Sequence, residues 1–138
     1  MKNGKRFAGR KCAQTNREFS RMEADLHNLA PAIGSVNAVR GNTRFGVLPG
    51  MSSTFGSCPM KVWRNTVEPP DSAKGMVART NLYMADAYPM RYRLSDSQRK
   101  LFESWDAMFP PDRWECERAQ RIWRVQGNPN KITERKCR

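Results

Sequence analysis

Histidine occurs once in this chain, at His27, and carboxylates are scarce: 13 Asp plus Glu stand against 25 Lys plus Arg. A single imidazole excludes the multi-histidine metal sites. The four cysteines contain no Cys-x-x-Cys pair either, which argues against structural zinc. No apolar run approaches the roughly 18–20 residues that a membrane-spanning helix requires. Met1-Lys2-Asn3-Gly4-Lys5-Arg6 is charged, but no apolar stretch follows it, so no secretory leader is expected there.

The charge that is present is mostly of one sign. The chain carries a net +12 over 138 residues, spread along its whole length rather than gathered in a tail. A balance this basic fits a polyanionic partner, nucleic acid before an acidic membrane surface. A basic protein with no polyanion is the bland alternative, because net charge carries no information about fold. The length fits one domain with a modest core. Cys12, Cys58, Cys116 and Cys137 form an even, dispersed set that suits one or two disulfides in an oxidising compartment. Four reduced thiols in a cytosolic protein is the competing reading, and all three pairings are open.

Local patterns divide the chain. The first dozen residues are basic and offer little to pack. Phe19 and Met22, three apart in the polar stretch from Asn16 to Glu23, suit a short helical turn. From Asp25 to Asn42, Pro31 reads as a helix start and Gly41 as a stop, which places Asn37 and Arg40 on one helical face. That face could offer an amide oxygen and a guanidinium to one ligand. Residues up to Phe55 have loop composition, with Phe45, Val47 and Leu48 as possible anchors. The segment Cys58–Trp63 reads as an edge strand because of Pro59. Asp71 or Ser72 caps a helix over about 73–88, and Ser95 caps a second one carrying Leu101, Phe102, Trp105, Met108 and Phe109 as a stripe. Pro110-Pro111 opens a third, with Trp114, Ile122 and Val125 on its inner face and Gly127 as its C-cap. The Trp and Met residues of these three helices are assigned to the core.

Together these residues carry a family resemblance. Met22-Glu23-Ala24-Asp25-Leu26-His27-Asn28-Leu29, Pro31-Ala32-Ile33-Gly34 and Val36-Asn37 come first. Phe55-Gly56, Cys58, Met60-Lys61-Val62, Glu68-Pro69-Pro70, Gly75, Ala78-Arg79-Thr80 and Leu82-Tyr83-Met84 follow. Leu101-Phe102, Trp105, Trp114-Glu115-Cys116-Glu117-Arg118 and Gln126-Gly127-Asn128 complete the series. In order and spacing, from about Arg10 to Cys137, the chain resembles the bacterial endonuclease I family, periplasmic or secreted nucleases of the ββα-metal (His-Me finger) superfamily.

The resemblance implies a metal-dependent phosphodiesterase that cuts DNA, and RNA as well, with little sequence preference. It implies one divalent cation, Mg²⁺ or a similar ion, with the Asn37 side-chain oxygen as a ligand. Arg10 matches a family arginine that grips the phosphate on the cleavage side, and Arg40 a further one that is structural or phosphate-facing. All four cysteines match family positions. Read without the family, Asn37 is a helix-surface amide and Arg10 a solvated arginine.

This sequence departs from the family pattern in several places. Ser35 replaces a common glutamate, and Ala38-Val39 replaces a Gly-Asp pair. No Glu-His dipeptide occurs, although the family carries a Trp-Glu-His segment that supplies the general base and a second metal ligand. His27 occupies a different family position and is expected to be a buried, hydrogen-bonded histidine on the finger's second strand or the turn after it. The chain therefore looks like the C-terminal two-thirds of an endonuclease I. The expected fold is α+β, a partial ββα-metal finger packed on a mainly helical C-terminal half, in a single domain over 1–138. A monomeric nuclease with a nucleic-acid partner and no membrane association is expected. The competing reading is a catalytically incomplete, basic nucleic-acid-binding remnant.

Overall fold

A computed structural model describes residues 15–32, 34–53 and 55–137. Arg10 and Cys12 lie outside the described residues. Helix α1 (Arg17–Ala24) begins at Asn16, whose side-chain oxygen accepts the Glu18 and Phe19 amides at 3.0 and 3.2 Å. Those bonds satisfy two of the donors that a first turn leaves unpaired. A 3₁₀ turn (Leu26–Asn28) leads to α2 (Gly34–Arg40), followed by β1 (Arg44–Phe45), β2 (Lys61–Trp63) and β3 (Thr66–Glu68). The rest is helical: α3 (Asp71–Ala87), α4 (Asp96–Met108), α5 (Arg113–Gln126) and α6 (Lys131–Glu134). The fold is thus α+β, as expected.

In the sheet, β3 lies between its neighbours, parallel to β1 and antiparallel to β2. Phe45, Val67 and Val62 stand opposite one another across it. Phe45 meets the Phe102 ring edge-on at 6.1 Å, which joins the sheet to the main core of Ala78, Leu82, Phe102 and Trp105. A second cluster, Met22, Tyr83 and Met84 with Phe19 alongside, fastens α1 to α3. Where α3 passes the end of α4, a side chain on Gly75 would collide with the Phe109 carbonyl and the Arg79 guanidinium. Only glycine fits there.

Arg79 binds three helices together, α3, α4 and α5. Its guanidinium is 2% exposed and forks onto Glu115 of α5, with both bonds at 2.7 Å. It also reaches Asp106 of α4 at 3.1 Å and the Phe109 carbonyl at 2.8 Å. The other Asp106 oxygen receives Arg135 at 2.9 Å and Lys136 at 3.2 Å, both just beyond α6. A Cys116–Cys137 disulfide closes the same corner. Among the described residues Cys58 is unpaired.

The sequence reading needs correcting at several points. The inner face of α5 is Glu115, Ala119 and Ile122, while Trp114 and Val125 are 56% and 80% exposed. Ile122 is buried as expected; Arg79 draws the Glu115 carboxylate inward and so turns the buried face away from Trp114 and Val125. Met108 also lies outside the core. Helix α3 starts at Asp71 after Pro70, with no side-chain cap. Only Lys61–Trp63 of the proposed edge strand is extended into the sheet; of the two places expected for His27 it takes a turn, the 3₁₀ turn, which follows helix α1 and not a strand.

Replacing Arg79 with alanine leaves Asp106 and Glu115 buried without their central cation. Urea denaturation at neutral pH should show a loss of about 3–5 kcal/mol, and a loss below about 1 kcal/mol, the level of a surface pair, would contradict the keystone role.

Candidate functional site

The turn ahead of α2 is held by a buried carboxylate. Asp25 is 3% exposed and accepts the His27 backbone N–H and the Gln126 side-chain amide, each at 2.9 Å, on one oxygen. Its other oxygen accepts the Tyr83 and Tyr88 hydroxyls at 2.6 and 2.7 Å. Gln126 turns its own oxygen to the Leu26 amide at 2.8 Å, so one side chain reads both edges of the turn. Arg118 donates to the Leu26 carbonyl at 2.9 Å and to the Leu29 carbonyl. Burial pushes the Asp25 carboxyl up, but the bonds from Tyr83, Gln126, Tyr88 and the His27 amide outweigh it and hold the group below its ordinary value. Burial and the facing carboxylate push Tyr88 up to about 12, and Tyr83 is raised as well.

His27 is 2% exposed, its ring 4.8 Å from that of Tyr83 and its Nε2 3.0 Å from the Asn128 carbonyl. A carbonyl only accepts, so Nε2 carries the proton. This imidazole is a packed, bonded strut, in line with the sequence expectation of a buried histidine. The turn it occupies delivers the chain toward α2.

On α2 the Asn37 side chain is exposed and has no hydrogen-bond partner among the described residues, while its carbonyl accepts the Gly41 amide at 2.9 Å. Gly41, at φ +49°, takes the left-handed turn that ends the helix. Arg40 is half-buried; it donates to the Gly41 carbonyl at 2.8 Å and lies 4.7 Å over the Phe45 ring. Its guanidinium therefore braces α2 against β1. Asn37 and Arg40 share the helix but not the same setting: one is free in solvent, the other is stacked. Among the described residues no group of three or more His, Cys, Asp or Glu side chains could hold an ion. No helix among them is long and apolar enough to cross a membrane.

The residues that position this region were not separately legible as such. Asp25, Tyr83, Arg118 and Gln126 are far apart in sequence, and only polar residues inside otherwise apolar blocks hinted at their burial.

The described geometry is that of a basic α+β domain whose buried polar knot presents a short, carboxylate-free helix to solvent. Residues 9–135 match the family model for endonuclease I, and the chain belongs to the endonuclease I family. It is 47% identical to a periplasmic deoxyribonuclease and to an extracellular deoxyribonuclease of Aeromonas hydrophila, each over 94% of this chain. It is 42% identical to endonuclease-1 of Buchnera aphidicola subsp. Acyrthosiphon pisum (strain APS), also over 94%. The matches cover 55%, 56% and 52% of those proteins, so the chain spans about half the length of the curated relatives it matches.

Because the folded Asp25 carboxyl titrates below its ordinary 3.8, its stabilisation is complete above that value. It is lost as the pH falls from there through the depressed folded value. Melting curves should show Asp25→Asn less stable than wild type at neutral pH, with a shallower further loss below pH about 4. Parallel acid profiles for the two proteins would exclude Asp25 as the titrating anchor.

Proposed function

We propose that this chain is a metal-dependent endonuclease that hydrolyses phosphodiester bonds in DNA, and in RNA, with little sequence preference. The observation that carries the reading is Asn37: an exposed amide oxygen with no hydrogen-bond partner among the described residues, on a helix without carboxylates, in a chain of net charge +12. It is supported by family membership and by relatives named as deoxyribonucleases and endonucleases.

A hard divalent cation such as Mg²⁺ takes oxygen ligands and keeps several waters, so one protein amide together with phosphate oxygens suits it. When bound, such an ion polarises the scissile phosphate and offsets charge on the leaving oxygen. Asn37 would hold it through Oδ1. Arg10, on the family resemblance, grips the phosphate through a planar fork. Arg40, already immobilised against Phe45, offers what remains of its guanidinium to the backbone. His27 does not take the attacking water's proton, since it is buried with Nε2 already occupied. Phosphate contacts of this kind carry no sequence information, and binding through them weakens steeply with salt. The Cys116–Cys137 bridge and relatives named periplasmic or extracellular support an oxidising compartment, the periplasm or outside the cell.

Supercoiled-plasmid nicking tests this reading. Nicking should require Mg²⁺ and stop with chelator, and Asn37→Ala should reduce it by no less than the roughly 10–100-fold lost with an outer-shell metal partner. Nicking that proceeds in chelator, or that Asn37→Ala leaves unchanged, overturns the assignment.

A further inference from the structure

Across the sheet from the Phe45–Val67–Val62 row runs a second row, in which Arg44, Thr66 and Trp63 stand opposite one another. Residues directly opposite in a sheet project from the same face, and neighbours along a strand project from opposite faces. Phe45 and Val67 are turned to the core, so Arg44, Thr66 and Trp63 are turned away from it. Trp63 is 54% exposed, with an arginine on either side of it, Arg44 across Thr66 in the sheet and Arg64 in the turn. Arg44 and Arg64 are exposed, and the Arg64 guanidinium lies 5.7 Å over the Trp63 ring. Neither arginine has a carboxylate partner among the described residues. Glu68, at the far end of this face, is already committed to the Leu48 amide, Lys74 and Lys61.

The turn joining β2 to β3 adds a second observation. Arg64 adopts φ +50°, and it is the only non-glycine residue with positive φ among those described. The two-residue hairpin loop between Trp63 and Thr66 demands that conformation at its first position, where glycine or asparagine is the cheaper occupant, and here it sets Arg64 directly beside Trp63.

We infer that Trp63, Arg44 and Arg64 form a platform on which an unpaired base of a nucleic-acid strand stacks, with its flanking phosphates held by the two arginines. The inference rests on the nucleic-acid reading above and extends it to strand state. An indole capped by a guanidinium on one side offers its remaining surface to a π-face, which every base has. In duplex DNA those faces are occupied by neighbouring pairs, so the platform discriminates in favour of single-stranded or frayed substrate. A protein partner would need to bring acidic groups to the same arginines and would not need a base.

Fluorescence anisotropy in chelator, where nothing is cut, tests this with a labelled oligothymidylate, an abasic strand of equal length and a blunt duplex. Wild type should favour oligothymidylate over the abasic strand. Trp63→Ala should weaken oligothymidylate binding about tenfold or more, to the abasic level, and leave the duplex within about twofold. Trp63→Phe should keep most of the affinity. Arg64→Gly should weaken oligothymidylate binding while melting at or above the wild-type temperature, because glycine relaxes the turn. If Trp63→Ala affects thymidylate and abasic strands equally, or neither, the platform is wrong and the nuclease reading stands. If wild type binds none of the three, the nucleic-acid reading fails with it.

Discussion

The buried guanidinium of Arg79 sits between the carboxylates of Asp106 and Glu115, and that arrangement limits how the helices can pack. Taking ions out of water costs several kcal/mol each unless every charge is matched. Two buried carboxylates exceed one guanidinium, and Arg135 and Lys136 supply the balance at the rim through Asp106. Their helix therefore docks where Asp106 is, and the Cys116–Cys137 bridge holds that end of the chain to α5. Apolar contacts alone tolerate sliding and repacking; a fork of two 2.7 Å bonds in a dry interior does not.

From this pairing the position of the face that carries Asn37 follows by helical geometry. Tyr83 lies four residues beyond Arg79 on α3, and Gln126 lies eleven beyond Glu115 on α5. Both spacings return to nearly the same side of a helix. Once Arg79 and Glu115 are engaged, Tyr83 and Gln126 face a common point, and Asp25 occupies it. Asp25 then fixes the turn carrying His27, and the chain emerges as α2 with Asn37 in solvent and Arg40 stacked on Phe45. The interior charge cluster thus orients α2 through Asp25 and the turn that carries His27.

Much of the framework was readable from punctuation. Asn16, Ser95 and Asp112 cap α1, α4 and α5 through their side chains, and Gly127 ends α5 in the left-handed conformation. The three strands were largely hidden, because two or three residues cannot establish a period; β3 was masked further by Pro69-Pro70 directly behind it. The face of α5 was misread because a buried glutamate is indistinguishable from a surface one until its arginine, 36 residues away, is placed. Helical spacing paired Asn37 with Arg40, but only the family blocks around it gave Asn37 a role, since an exposed helix amide has no local signature of its own. Trp114 illustrates the converse, an aromatic assigned to the core that the helix turns outward.

The central claim is that the Asn37 oxygen meets a hard cation shared with bound phosphate. Paramagnetic broadening by Mn²⁺ tests it most directly, followed in the amide spectrum of the chain with an oligonucleotide present. The account predicts that the Asn37 side-chain amide and the backbone amides of Gly34–Arg40 broaden first, and that Asn37→Ala abolishes this effect. Broadening centred elsewhere, or unchanged by Asn37→Ala, would contradict it.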